Sequence, residues 1–130
     1  MSTADGHIEE STAIITARSE AIVPKIGLVL GSGLSSFADR IDNPIIIPFG
    51  DLPGFPKPAV SGHEGRLVLG TVGGTSVATM QGRTHYYEAA DAEVMKVPIQ
   101  TLKSLGCEAV VLTNAAGSLN PNAGPGSVML

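Results

Sequence analysis

Cysteine is nearly absent. Cys107 stands alone in 130 residues, which excludes an internal disulfide and any multi-cysteine zinc site. Gly106 and Glu108 beside it offer nothing to activate a thiolate, so a packing role is expected. Basic residues are also scarce, eight against twelve acidic, for a net charge of −4. No basic stripe tracks a nucleic-acid backbone, and nucleic-acid binding is not expected. Long apolar runs are missing. The best candidate, 21–30, is broken by Pro24 and Lys25, so no membrane span is expected. The N-terminus carries Asp5, Glu9 and Glu10 and lacks the pattern of a secretory or transit peptide. These absences point to a cytoplasmic protein. The three histidines, His7, His63 and His85, lack ligand spacing, so no metal is expected.

The chain does contain enough apolar residues, 43% of the total, to bury the core of one ordinary domain. Sixteen glycines and nine prolines imply many loops. Residues 8–22 read as a helix, with Ile8, Thr12, Ile15 and Ser19 on one face, Glu9 and Glu10 favouring its first turn, and Pro24 ending it. His7 falls in the polar segment before it. Residues 25–30 read as a buried strand running into Gly31-Ser32-Gly33, followed by a short helix over 34–40. Residues 43–48 form another short strand. A long Pro-rich loop over 50–65 follows, of a length that is uncommon without a function. Residues 66–72 and 75–80 alternate across Gly73-Gly74, the pattern of a hairpin with a primed turn. Asp91 is placed to cap a helix ending at Leu105 and closed by Gly106, with Pro98 kinking it. Residues 108–114 give a third strand of buried type, ending in Asn114-Ala115-Ala116-Gly117-Ser118. The chain closes on an apolar run, Ser127-Val128-Met129-Leu130. Chain ends are usually polar, which leads to the expectation of a longer parent protein.

Strands alternating with helices imply an open α/β sheet. Ligands in such sheets bind beyond the carboxyl ends of the strands. Three strands end there in small-residue loops, at Gly31-Ser32-Gly33, at Gly82-Arg83 and at Ala115-Ala116-Gly117. Small residues let backbone N–H groups approach an anion, and a following helix N-terminus favours negative charge. Ser32 adds a hydroxyl. Arg83 adds a planar fork of donors. In an extended loop Arg83, His85 and Tyr87 share one side. Alone, the 80–88 stretch also reads as a solvated turn, and Gly31-Ser32-Gly33 as a structural one. Together they read as a phosphate site. A P-loop is excluded because Leu34 follows Gly33 where lysine is required. A dinucleotide fingerprint would need a third glycine where Ser36 stands. Its ribose-binding acid would be Asp51, which lies in a Gly/Pro loop.

Four stretches, in order, carry a family resemblance. They are Gly31-Ser32-Gly33-Leu34, Gly62-His63-Glu64-Gly65-Arg66-Leu67, Met80-Gln81-Gly82-Arg83-Thr84-His85-Tyr86-Tyr87-Glu88 and Thr113-Asn114-Ala115-Ala116-Gly117-Ser118-Leu119-Asn120. The chain resembles the trimeric, low-molecular-mass purine nucleoside phosphorylases from about Ile8 to Leu130. The resemblance implies an α/β fold with a mixed central sheet flanked by helices. Residues 1–130 would be the N-terminal part of a single phosphorylase domain, apparently truncated. It implies phosphorolysis of inosine- or guanosine-type nucleosides to free base and ribose 1-phosphate. Ser32, Arg83, His85 and the Ala115 N–H would hold phosphate. His63 would close over phosphate and ribose, so that His63 and His85 serve catalysis. Tyr87 would contact the ribose hydroxyls, and Asn114 and Ala115 would line the floor near sugar and base. The loop at Asn114-Ala115-Ala116-Gly117 favours this enzyme over its relative that cleaves methylthioadenosine. No cofactor is implied, since inorganic phosphate is the co-substrate and attacks directly. The implied partners are nucleoside and phosphate, with a homotrimer for the full-length protein. The purine-recognising acid and asparagine would belong to a second half outside these 130 residues. The alternative is a truncated, non-catalytic α/β module that binds phosphate.

Overall fold

The computed structural model describes residues 3–57, 65–83 and 90–130. In chain order these residues form helix α1 (Thr3–Arg18), strand β1 (Ile26–Leu30), a 3₁₀ turn (Ser35–Arg40), β2 (Asp42–Pro48), a second 3₁₀ turn (Phe49–Asp51), β3 (Arg66–Val72), β4 (Thr75–Gln81), α2 (Lys96–Ser104) and β5 (Ala109–Leu112). The strands form one sheet in the order β2-β3-β4-β1-β5. β1 runs parallel to both β4 and β5, whereas β2, β3 and β4 are joined antiparallel. This is the expected mixed sheet flanked by helices.

The alternating sequence of the strands gives the sheet two apolar faces. On one, Val29, Leu67, Leu69, Ala78 and Met80 pack with Ile15 of α1, Leu102 of α2 and the Phe49–Phe55 segment. The rings of Phe49 and Phe55 lie 5.4 Å apart at 51°. On the other, Leu30, Val68 and Val77 pack with Ala38 and Ile41 around the first 3₁₀ turn. The Pro-rich loop thus begins as part of the core, with Leu52 and Phe55 buried. The hairpin is as expected. Val72 pairs with Thr75 across Gly73 and Gly74. Both glycines have positive φ, 57° and 83°, as a type I′ turn requires.

Six expectations need correction. α1 begins at Thr3, so His7 lies within it rather than in a polar tail, and Asp5 occupies its first turn in place of Glu9 and Glu10. It also stops at Arg18, because Glu20 and Ala21 adopt left-handed backbone before Pro24 is reached. The segment after Leu34 is a 3₁₀ turn rather than an α-helix. The second helix starts at Lys96. Asp91 instead closes a local turn, its Oδ1 accepting from the Glu93 N–H at 2.8 Å. Pro98 therefore falls in the first turn of α2, where a missing N–H leaves no intrahelical bond unmade, and it does not kink the helix. Of the face that the spacing predicts, Val94, Val97, Thr101, Leu102 and Leu105, all but Val94 are buried; Val94 precedes the helix. Gly106 (φ 108°) closes the helix as expected. Its N–H donates to Lys103 O and that of Cys107 to Leu102 O, a Schellman pair. Finally, β5 is not buried. It is the sheet's edge strand, and all four of its residues are exposed, Leu112 at 67%.

Two threonine hydroxyls, of Thr79 and Thr101, are fully buried with no hydrogen-bond partner among the described residues. An unpaired buried hydroxyl destabilises a fold, and removing it relieves that penalty. Thr101→Val is expected to leave stability unchanged or raise it by up to about 1 kcal/mol. Denaturant unfolding checks this, and a loss larger than about 1 kcal/mol would show that the hydroxyl is satisfied.

Candidate anion site at the strand ends

Because β4, β1 and β5 are parallel neighbours, their carboxyl ends emerge side by side on one edge of the sheet. The three small-residue loops singled out in the sequence leave from there. The structure joins them through Thr113. The Thr113 hydroxyl donates to Val29 O at 2.8 Å and accepts from the Gly31 N–H at 2.8 Å. Its own N–H donates to Val29 O at 3.1 Å. Its carbonyl accepts from Arg83 Nη1 at 3.2 Å. Arg83, following β4, is thereby laid across the exit of β1.

That placement explains the glycine. A Cβ on Gly31 would lie 2.5 Å from Thr113 O, 2.7 Å from Arg83 Nη1 and 2.9 Å from the Asn114 Cα. Gly31 is buried, and the guanidinium packs where a side chain would otherwise be. Close approach of another group to the backbone is a recurring reason for glycine. Leu34 N–H donates to Gly31 O at 3.1 Å, closing a turn with Ser32 and Gly33 exposed at its tip. The N–H groups of Ser32 and Gly33 donate to nothing among the described residues. Arg83 uses one of its five N–H donors in the bond to Thr113.

A second set of contacts braces the same edge. Arg66 Nε donates to Gln81 Oε1 at 2.6 Å, and Gln81 Nε2 donates to Ser35 O at 2.9 Å. Among the described residues, neither Arg66 nor Arg83 has a carboxylate partner; the ion pairs there are Arg18–Asp51 and Lys96–Glu93. Asp51, the acid that a dinucleotide site would need, is held by Arg18 at 2.6 Å. Gly65 and Gly82 also come close together. A Cβ on Gly82 (φ 123°) would lie 3.2 Å from the Gly65 Cα, and one on Gly65 would overlap the Phe49 ring. The arrangement offers N–H groups without a partner among the described residues, a hydroxyl and a guanidinium on one edge. Chemically it suits a phosphate or carboxylate.

Of the expected site residues, Ser32 and Arg83 are brought to this edge, and Asn114 and Ala115 follow Thr113 on it, both exposed. His63, His85 and Tyr87 lie outside the described residues. Sequence reasoning gives no role to Thr113 or Gln81. Their positions, at the ends of strands facing small-residue loops, are the available signal. Among the described residues no group of three or more histidine, cysteine or carboxylate side chains is placed to hold a metal, and no helix is long and apolar enough to cross a membrane. Cys107 is half-buried, and burial pushes its thiol up to about 11, the opposite of an activated nucleophile.

Residues 25–130 match the family model of the Phosphorylase superfamily. The chain belongs to that superfamily. It is 50% identical over 107 residues to purine nucleoside phosphorylase 1 of Bacillus subtilis (strain 168), covering 82% of this chain and 40% of the relative. It is 37% identical over 121 residues to the purine nucleoside phosphorylase of Mus musculus, covering 93% of this chain and 42% of that one. A purine nucleoside phosphorylase solved in complex with ribose-1-phosphate superimposes with a TM-score of 0.86 at 38% identity, covering 95% of this chain and 46% of that one. The enzyme of Schistosoma mansoni in complex with inosine gives 0.84 at 37% identity, with 95% and 43% covered. The chain thus spans about 40% of the length of the curated relatives it matches.

Two outcomes follow from this geometry. Gly31→Ala is expected to destabilise the protein by about 1–3 kcal/mol through overpacking and to displace Arg83, which thermal unfolding together with phosphate titration would detect. An alanine variant as stable as the parent would mean that the strand ends yield freely. Cys107 is expected to alkylate slowly at pH 8, with about a hundredfold less thiolate than a thiol of its ordinary value, 9.0. The rate should climb as pH rises towards 11, and a fast, pH-independent reaction would contradict the burial.

Proposed function

We propose that the protein is a purine nucleoside phosphorylase acting on inosine- or guanosine-type substrates. The observation that carries this reading is Arg83 seated over Gly31 and bound to Thr113 O, beside N–H groups at Ser32 and Gly33 that have no partner among the described residues. Its support in kind comes from relatives of that name and from solved neighbours holding inosine and ribose-1-phosphate.

In this reading Ser32, Arg83, His85 and the Ala115 N–H hold inorganic phosphate below the sugar. A phosphate oxygen forms a bond to the anomeric carbon as the bond from that carbon to the purine nitrogen breaks. The electron pair of the broken bond leaves with the base, which takes up a proton. Positive charge develops on the sugar in the transition state, so a fixed anion at close range stabilises it, and positioning supplies much of the rate. No nucleophilic side chain is needed, in keeping with an inert Cys107. His63 closes over phosphate and ribose, Tyr87 meets the ribose hydroxyls, and Asn114 and Ala115 form the floor. No cofactor takes part. The working assembly is a homotrimer in the cytoplasm, and residues 1–130 form the phosphate and ribose part of one domain.

The test is phosphate-dependent release of hypoxanthine from inosine by the protein as its source cell makes it, with ribose 1-phosphate as co-product. Arg83→Ala removes charge-assisted hydrogen bonds and is expected to raise the phosphate KM about 10- to 100-fold. Unchanged phosphate dependence would remove Arg83 from the site. Phosphate binding without any release of base would favour the non-catalytic module instead.

A further inference from the structure

We infer that Thr113 is a positioning residue, whose hydroxyl sets the phosphate-binding turn after β1 by taking the Gly31 N–H out of the donor set; the inference rests on the phosphorolysis reading above. A threonine hydroxyl has one hydrogen to give and two lone pairs. Here the hydrogen goes to Val29 O and a lone pair receives the Gly31 N–H, each at 2.8 Å. The hydroxyl is thus fixed in direction from both sides. Its β-branch restricts the rotamer further. With the main-chain N–H donating to Val29 O and the main-chain carbonyl accepting from Arg83 Nη1, all three of the residue's polar atoms are engaged, with β1, with the exit of β1 and with the residue that follows β4.

The consequence is selective. Gly31 N–H, buried and paired, is not available to an anion. Ser32 and Gly33 N–H, one and two residues on, remain free among the described residues. The Thr113 hydroxyl therefore decides which amides of the loop face a ligand, without touching the ligand itself. Removing the hydroxyl while keeping the shape, as in Thr113→Val, leaves both backbone bonds of residue 113 possible and the parallel pairing of β1 with β5 intact. It frees the Gly31 N–H and lets the turn rotate. Thr113→Ser keeps the hydroxyl and loses only a methyl group.

The experiment is steady-state phosphorolysis of inosine by the protein as its cell makes it, varying inorganic phosphate, for the parent, Thr113→Val, Thr113→Ser and Arg83→Ala. Thr113→Val is expected to raise the phosphate KM about tenfold while the inosine KM moves less than about twofold, and Thr113→Ser is expected to restore the parent phosphate KM. Equal losses in the valine and serine variants, or a parent-like phosphate KM for valine, overturn the inference. Arg83→Ala separates the two claims. If it weakens phosphate use and Thr113→Val does not, only the positioning role fails. If Arg83→Ala also leaves phosphate use unchanged, the phosphorolysis reading fails and takes the inference with it. Amide hydrogen exchange on the unsubstituted protein gives a readout independent of variant folding. Without phosphate, Gly31 should be protected and Ser32 and Gly33 fast; added phosphate should slow the latter two. A Gly31 amide exchanging as fast as its neighbours overturns the assignment.

Discussion

The contact on which the site depends is a guanidinium resting on a glycine. Arg83 belongs to the segment after β4 and Gly31 to the exit of β1. They touch because β1 and β4 are parallel neighbours ending at the same level, Leu30 opposite Gln81. Any side chain at residue 31 would occupy the place of Arg83 Nη1 and of Thr113 O. The constraint is mutual. Glycine allows the arginine in, and the arginine's bond to Thr113 O carries the contact on to β5. Three loops far apart in sequence become one edge by this means, and the sheet behind them supplies the rigidity that a binding site needs.

That rigidity has identifiable sources. The sheet is filled on both faces, by α1, α2 and the Phe49–Phe55 segment on one and by the 3₁₀ turn on the other. Gln81 sits at the end of β4 and bridges Arg66 to Ser35, so the start of β3 and the start of the 3₁₀ turn are tied to the strand that delivers Arg83. Gly65 and Gly82 meet beside the Phe49 ring. Their lack of side chains lets two backbones approach where the Pro-rich loop re-enters the sheet and where β4 ends.

Much of this is legible in the sequence, because period-two alternation and glycine punctuation are local signals. The β3–β4 hairpin is readable from Gly73-Gly74 because a primed turn demands positive φ at both positions. The strand exits are readable as small-residue loops after apolar runs. Differences arise where local and tertiary demands diverge. Pro98 looks like a kink within a run ending at Leu105, but the helix starts late enough to place it in the first turn, where it is tolerated. The end of α1 is set by left-handed backbone at Glu20 and Ala21, for which neither residue type is a signal. Thr113 escapes notice in the sequence because a threonine at the end of a strand is ordinary until its three polar atoms are seen to have partners on β1, at its exit and after β4. Such long-range pairing leaves no periodicity to read.

β5 shows the same limit from the other side. Ala109-Val110-Val111-Leu112 has the continuous apolar composition of a strand covered on both faces, yet in the described structure it is the exposed edge. Composition reports the environment for which a segment is suited, whereas burial reports the neighbours it has. The two agree for β1, flanked by β4 and β5, and disagree for β5, which has β1 on one side only. The chain also spans about 40% of the length of its curated relatives. The site edge is built despite this, because Thr113 is anchored inward, to Val29 and Gly31 of the neighbouring strand and its exit. Its geometry depends on the β4–β1–β5 order rather than on what lies beyond β5. The candidate anion edge and the outer face of β5 are therefore separable in physical terms. The first is fixed by hydrogen bonds already made, and the second by apolar surface still facing solvent.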